Sequence, residues 1–138
     1  MTVNDCKIIE LPRFLDARGN LTFIEQNNHI PFKIERTYWI YDVPGGEERG
    51  GHAFKQNEEF IVALSGAFNV VVDDGIQKKT FFLNRSYYGL YIPTGLWRTI
   101  ENFSTNSLAL EFGSIHYEQN DYICEYEQFL TKKKNGEI

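Results

Sequence analysis

Cysteine is scarce in this chain. Cys6 and Cys124 are the whole complement; they lie far apart and form no C-x-x-C pair. Nothing here reads as a disulfide framework, and a reducing compartment with both thiols free is the simplest setting. Basic residues are also few. Fourteen Lys and Arg stand against nineteen Asp and Glu, a net charge of −5 with a pI near 5.2. That balance argues against non-specific binding to nucleic acid or an anionic membrane. No apolar run is long enough to span a bilayer. The opening MTVNDCKIIELPRF lacks the basic-then-apolar order of a secretion leader, so a cytoplasmic location is expected. Histidine is limited to three residues, His29, His52 and His116. His29 lies in a polar, turn-like stretch and reads as surface, and His116 is assigned no role.

What is abundant is aromatic surface. Eight Tyr and eleven Phe in 138 residues favour pleated, half-buried strands. They could also wall a cleft for a flat or ring-shaped ligand, although most are expected in the core. The length fits one domain, residues 1–138. A chain of this size buries about 70% of its unfolded surface, enough for a real core.

Short apolar-aromatic runs recur about every eight to twelve residues between turn signals. Strands are expected at Cys6–Leu11, Leu21–Glu25, Phe32–Asp42, His52–Lys55, Phe60–Leu64, Phe68–Val72, Lys78–Leu83, Tyr88–Ile92 and Leu108–Phe112. Asp74-Gly75 between two such runs is a hairpin signal. The pattern predicts an all-β sandwich or barrel of antiparallel strands. Near the end the period changes: Tyr122, Tyr126, Phe129 and Leu130 fall at helical spacing. Asn120 or Asp121 is placed to cap that helix, Lys132–Lys134 suit its last turn, and Gly136 ends it.

The stretch RGGHAFKQNEEF carries the main chemical signal. Gly46 is followed by five residues, His52, one residue, Phe54, four residues, Glu59, six residues and Gly66. That is the first cupin motif with Phe54 in place of its second histidine. Downstream, Pro93-x-Gly95 is followed by two residues, Arg98, three residues and Asn102. That is the second cupin motif with Arg98 in place of its histidine. Such motifs gather metal ligands, because alternate residues of a strand share a face. Phe54 offers no lone pair, and Arg98 is a permanent cation. Two of four ligands are missing, so neither a metal nor a cofactor is expected.

His52 and Phe54 then line the interior. An unperturbed imidazole titrates near about 6.5, which suits His52 as a general acid or base, with Glu59 orienting or tuning it. Arg98 is expected to point into the cleft. Arg18, Arg36 and Arg49 offer guanidinium forks suited to a diphosphate. Tyr38, Trp39, Tyr41, Tyr91 and Trp97 are candidate walls for a sugar or base.

These residues also carry a family resemblance that covers nearly the whole chain. Its marks are Asp16-x-Arg18-Gly19-x-Leu21 with Ile24-Glu25, Arg36-x-Tyr38-x-Ile40-Tyr41-Asp42-Val43, and Arg49-Gly50-Gly51-His52-Ala53. Further marks are Leu64-Ser65-Gly66, Asp73-Asp74-Gly75, Gly89-Leu90-Tyr91, Trp97-Arg98 and Asp121-Tyr122-Ile123. The chain resembles the sugar-nucleotide 3,4-ketoisomerases of the WxcM-like cupin group. The resemblance implies a cupin jelly roll with a short C-terminal helix, and a homodimer with exchanged N-terminal strands. It implies action on a dTDP-linked keto sugar, dTDP-4-keto-6-deoxyglucose, without a metal. The product would lead to 3-amino-3,6-dideoxyhexoses for cell-surface glycans such as lipopolysaccharide. Members typically carry His-Ala-His where this chain has His52-Ala53-Phe54. His52 therefore carries over as the carbon base, and Tyr38, Arg98 or an ordered water is left to stabilise the enediolate. Substrate contacts are expected from Arg18, Arg36, Arg49, Phe54, Glu59, Tyr91 and Trp97. The alternatives are a catalytically silent sugar-nucleotide binder, which Phe54 favours, a 3,5-epimerase, and a metal-dependent cupin, which the missing ligands disfavour.

Overall fold

The computed structural model describes residues 1–138. The strands in chain order begin with β1 (Lys7–Glu10), β2 (Arg13–Phe14), β3 (Leu21–Thr22), β4 (Arg36–Ile40), β5 (Arg49–Phe54) and β6 (Glu59–Ser65). They continue with β7 (Phe68–Asp73), β8 (Lys78–Leu83), β9 (Tyr88–Ile92), β10 (Trp97–Glu101), β11 (Leu108–Gly113) and β12 (Tyr122–Ile123). One α-helix, α1 (Tyr126–Lys134), follows. Two five-stranded antiparallel sheets result, in the orders β1-β9-β6-β11-β4 and β12-β5-β10-β7-β8, with β2-β3 as a separate hairpin. This is the jelly-roll sandwich.

Strand periodicity sorts the layers. Ile61 and Ala63 of β6, Val70 and Val72 of β7, Leu90 and Ile92 of β9, Ile100 of β10 and Ala109 of β11 are all buried in one cluster between the sheets. The intervening Phe60 and Val62 point the other way, where Leu11, Ile30 and Phe32 of the N-terminal arm cover them. On the outer face of the second sheet, Ala53 and Ile123 are covered by Phe129 of α1. Each covering element removes one stripe of apolar side chains from water, at about 25 cal/mol for each Å².

The turn at Asp74-Gly75 connects β7 to β8 as expected. Gly75 has φ +89, and the Asp74 carboxylate accepts from the amides of Ile76 and Gln77, both at 2.9 Å. Its second oxygen accepts from the Val3 amide at 3.0 Å, which ties the N-terminus to the turn.

Several expectations change, among them the strand expected over Leu21–Glu25, which is only Leu21–Thr22. The strand expected over Phe32–Asp42 is only Arg36–Ile40: Phe32 is spent covering Phe60, and Asp42 turns left-handed at φ +56. Strand β10 was not expected, because Arg98 occupies an inward position and interrupts the apolar alternation. The helix starts later than the spacing suggests. Tyr122 and Ile123 extend the second sheet beside Phe54 and Ala53. Asp121 does not cap α1; it accepts from the amides of Gln56 (2.7 Å) and Asn57 (3.1 Å), fixing the loop between β5 and β6. Asp121→Ala should therefore destabilise the fold by about 1–3 kcal/mol, read as a lower denaturant midpoint with an unchanged slope. An unchanged midpoint would show that the loop holds itself.

Candidate active site

Four strands change character at the same level of the sandwich. Going along their inward positions, β6 passes from Ala63 and Ile61 to Glu59, and β11 from Ala109 to Glu111. Likewise β10 passes from Ile100 to Arg98, and β4 from Ile40 to Tyr38 and Arg36. One end of the interior is hydrocarbon and the other is a polar network.

Arg98 is its centre. It is 1% exposed and lies between Glu59 and Glu111, which are 2% and 0% exposed. Its Nε donates to both oxygens of Glu59, at 3.1 and 3.0 Å, and Nη2 donates to Glu59 Oε1 as well. Nη2 also donates to Glu111 Oε1 at 2.7 Å, and Nη1 to the Gly50 carbonyl at 3.1 Å. The Tyr38 hydroxyl donates to Glu111 Oε1 at 3.2 Å. Gly50 is required above this network. Its φ is +74, and a Cβ there would lie 1.9 Å from Arg98 Nη1.

His52 sits on β5 directly opposite Arg98, so the two share a face. Its ring packs against Phe54 (centroids 4.7 Å apart) and Tyr122 (4.9 Å), which themselves meet at 4.6 Å. Arg36 lies over Tyr38, its Cζ 5.1 Å from the ring centroid, and donates from Nη1 to the Tyr122 hydroxyl at 3.3 Å. His52 Nε2 is buried without a partner, as are Arg36 Nε and Glu111 Oε2. Orphaned polar atoms are rare in native interiors. Three such atoms lie around one level of the sandwich.

Charge sets the protonation states. Burial, then the Arg98 cation, push His52 down to about 3, so the imidazole is neutral at working pH with a free lone pair. Burial also pushes up the Tyr38 hydroxyl, and neighbouring Glu111 adds to this, so Tyr38 keeps its proton. Burial alone would raise Glu59, but the Arg98 charge and hydrogen bonds outweigh it and hold Glu59 low. Burial, with the neighbouring Glu59 charge and a hydrogen bond to Glu59 adding to it, outweighs Arg98 at Glu111 and pushes it up to about 8.

The expected site residues divide. His52, Tyr38, Arg36 and Phe54 converge with Arg98 and Glu59. Arg98 does not point into an open cleft, however. It and Glu59 are sealed beneath the floor, their hydrogen bonds spent on the protein. Phe54 is 3% exposed and buttresses His52 rather than facing solvent. Trp97 projects to the opposite face of β10 and packs on Tyr126 and Phe129 under α1. Tyr91 projects outward too, against Phe32, and donates to Glu58. Both fail to reach the site because they have the wrong strand parity. Arg49 is exposed at the start of β5. Arg18 lies in the loop between β2 and β3, its side chain 90% exposed and paired with Asp16. Trp39 and Tyr41 are exposed as well. Glu111 and Tyr122 were missed. The available signal was a lone carboxylate in LALEF at an inward position of an otherwise apolar strand.

No group of three or more His, Cys, Asp or Glu side chains gathers to hold a metal. A cavity of about 750 Å³ lies beside the cluster and shares Tyr117 and Tyr122 with its edge.

Comparison with known proteins gives a consistent set. The family described as FdtA, WxcM-like, C-terminal matches residues 4–134. A TDP-4-oxo-6-deoxy-α-D-glucose 3,4-oxoisomerase of Aneurinibacillus thermoaerophilus is 37% identical over 123 residues, covering 89% of this chain and 88% of that one. Among solved structures, a 3,4-ketoisomerase from Helicobacter canadensis superposes with a TM-score of 0.92 at 37% identity, over 94% of this chain and 98% of its own. QdtA, a sugar 3,4-ketoisomerase from Thermoanaerobacterium thermosaccharolyticum in complex with TDP, gives 0.94 at 29% identity over 99% of each chain.

Proposed function

The chain belongs to the FdtA-type, WxcM-like C-terminal family, and from that premise we propose that it converts TDP-4-keto-6-deoxyglucose into the 3-keto isomer. The observation that carries this is His52: a neutral imidazole, partly buried, with an unpartnered Nε2 above a fixed cation.

The chemistry needs a carbon base and an oxygen acid. His52 takes the proton from C3, and the C3–H electron pair becomes a C3–C4 double bond. The carbonyl pair moves onto O4, where Tyr38 is the half-buried hydroxyl placed to protonate it. Arg98 lies beneath this level with its charge shared between Glu59 and Glu111, and does not touch the sugar. The imidazolium so formed is a strong acid, because burial and Arg98 disfavour it. It returns its proton readily to C4 as the O3 hydroxyl gives its proton back to Tyr38 and becomes the new carbonyl. One histidine therefore serves both carbons, and Phe54 keeps its ring in place. No carboxylate hydrogen-bonds to His52, which separates this arrangement from the His–Asp pairing of a 3,5-epimerase.

Arg36, with its unpartnered Nε, is suited to the diphosphate. The same proposal includes a homodimer with exchanged N-terminal strands. Phe14, Leu15 and Leu21 of the β2–β3 hairpin, with Trp39 and Leu64 on the outer face of the first sheet, leave a broad apolar surface exposed. An exchanged arm would cover it and carry Arg18 towards the partner's site. The product would feed an aminotransferase that makes a 3-amino-3,6-dideoxyhexose.

Protein stripped with chelator should convert TDP-4-keto-6-deoxyglucose to the 3-keto sugar at the untreated rate, followed by NMR. Loss of turnover restored by one divalent metal would contradict a metal-free mechanism. Tight TDP binding with no turnover in either sample would instead indicate a silent binder.

A further inference from the structure

The buried network has an unequal charge count. Two carboxyl groups, Glu59 and Glu111, share the single guanidinium of Arg98, and all three are sealed from solvent. Were both carboxyls ionised, one negative charge would remain uncompensated in the interior, which costs several kcal/mol. A proton on one of them removes that cost. Geometry selects the holder. Glu59 accepts from Arg98 at both of its oxygens. Glu111 accepts from Arg98 at Oε1 alone, and its Oε2 has no partner.

Glu111 is also the residue beneath Tyr38. It faces Tyr38 from β4, Glu59 from β6 and Arg98 from β10; His52 on β5 and Arg36 on β4 complete the charged and titratable surroundings. An ionised Glu111 can only accept, so it claims the Tyr38 proton and turns the hydroxyl inward. A Glu111 that carries its proton on Oε1, the oxygen 3.2 Å from the Tyr38 hydroxyl, can donate to the Tyr38 oxygen while still accepting from Arg98, which turns the phenolic proton out towards His52 and a bound sugar.

Building on the ketoisomerase function above, we propose that Glu111 is a positioning residue that holds a proton in the working enzyme and thereby frees the Tyr38 hydroxyl to donate to the sugar oxygen. The relay balances. As O4 takes the Tyr38 proton, Tyr38 takes the Glu111 proton. As O3 gives up its proton to form the new carbonyl, Tyr38 regains one and returns the other to Glu111. No net proton enters or leaves, and nothing is oxidised. The upward shift of Glu111 to about 8 agrees with the charge count and fixes the direction of the pH effect. Below that value the acid is present; as pH rises through it, Glu111 ionises and Tyr38 is recaptured.

The test is Glu111→Gln, whose amide can still donate to Tyr38 but cannot ionise. In the wild type, kcat should fall about tenfold per pH unit on the alkaline side, with KM little changed. In Glu111→Gln, kcat should be lower at neutral pH, KM unchanged, and the alkaline fall absent. Independently of turnover, infrared spectra in deuterated buffer should show a buried protonated-carboxyl band. It should disappear as pH rises through the mildly alkaline range and be missing from Glu111→Gln. Tyr38→Phe should keep that band while losing turnover, which covers the case of a poorly folded Glu111 variant. An alkaline fall that survives in Glu111→Gln, or a wild type without the band, would overturn the proposal. A wild type that shows the band but never isomerises the sugar would refute the assigned reaction instead.

Discussion

His52→Asn should lower kcat by roughly 10²–10⁴-fold while leaving the fold and substrate affinity close to wild type. The size of the loss follows from the absence of a substitute. The neighbouring ring is Phe54, which cannot carry a proton. His29 packs on Phe23 in the N-terminal arm, and His116 pairs with Glu35 at the surface. No other group at this level starts as a free base: Arg98 stays charged, and Tyr38 rests protonated. The fold should survive because His52 Nε2 makes no hydrogen bond that asparagine would break. Turnover of TDP-4-keto-6-deoxyglucose followed by NMR, alongside a thermal melt, checks both halves. Full turnover in the asparagine protein would show that the carbon base is another residue.

Arg98→Met should be the most damaging substitution for stability, at about 3–5 kcal/mol near neutral pH. Methionine roughly matches the stem in volume, so the loss is electrostatic rather than a cavity. It leaves Glu59 and Glu111 facing each other in the interior with no cation. Both would then bind protons more tightly in the folded than in the unfolded chain. The destabilisation should therefore shrink as pH falls towards the ordinary carboxylate range and grow as pH rises. Denaturant midpoints for the two proteins across that range test this. A pH-independent difference would mean that packing, not charge, accounts for Arg98.

Much of this was legible in the sequence, for identifiable reasons. Alternating strands such as FNVVVD and the Asp74-Gly75 turn carry their own geometry, so the sandwich follows from local pattern. The spacing around His52 placed it with Phe54 on one face because parity along a strand is fixed. The same parity was not applied to Trp97 and Tyr91, whose aromatic character suggested a ligand wall; both project away from the site. Arg98 was located correctly in the chain but not in depth. Whether an arginine lines a cleft or lies beneath it depends on what faces it, and Glu111 comes from a distant strand. Glu111 itself gave only a faint signal, one carboxylate among Leu108, Ala109, Leu110 and Phe112. Tyr122 looked helical because Tyr126 and Phe129 lie at helical spacing beyond it, yet pairing with Phe54 draws it into the second sheet.

The most direct measurement follows the sugar protons by NMR while the protein acts on TDP-4-keto-6-deoxyglucose in deuterated buffer. A single histidine moving one proton between C3 and C4 predicts a 3-keto product. Its C4 should carry either the substrate's own C3 hydrogen or deuterium acquired at His52, and the C5 hydrogen should be untouched. Exchange at C5, or no 3-keto product despite bound TDP sugar, would contradict it.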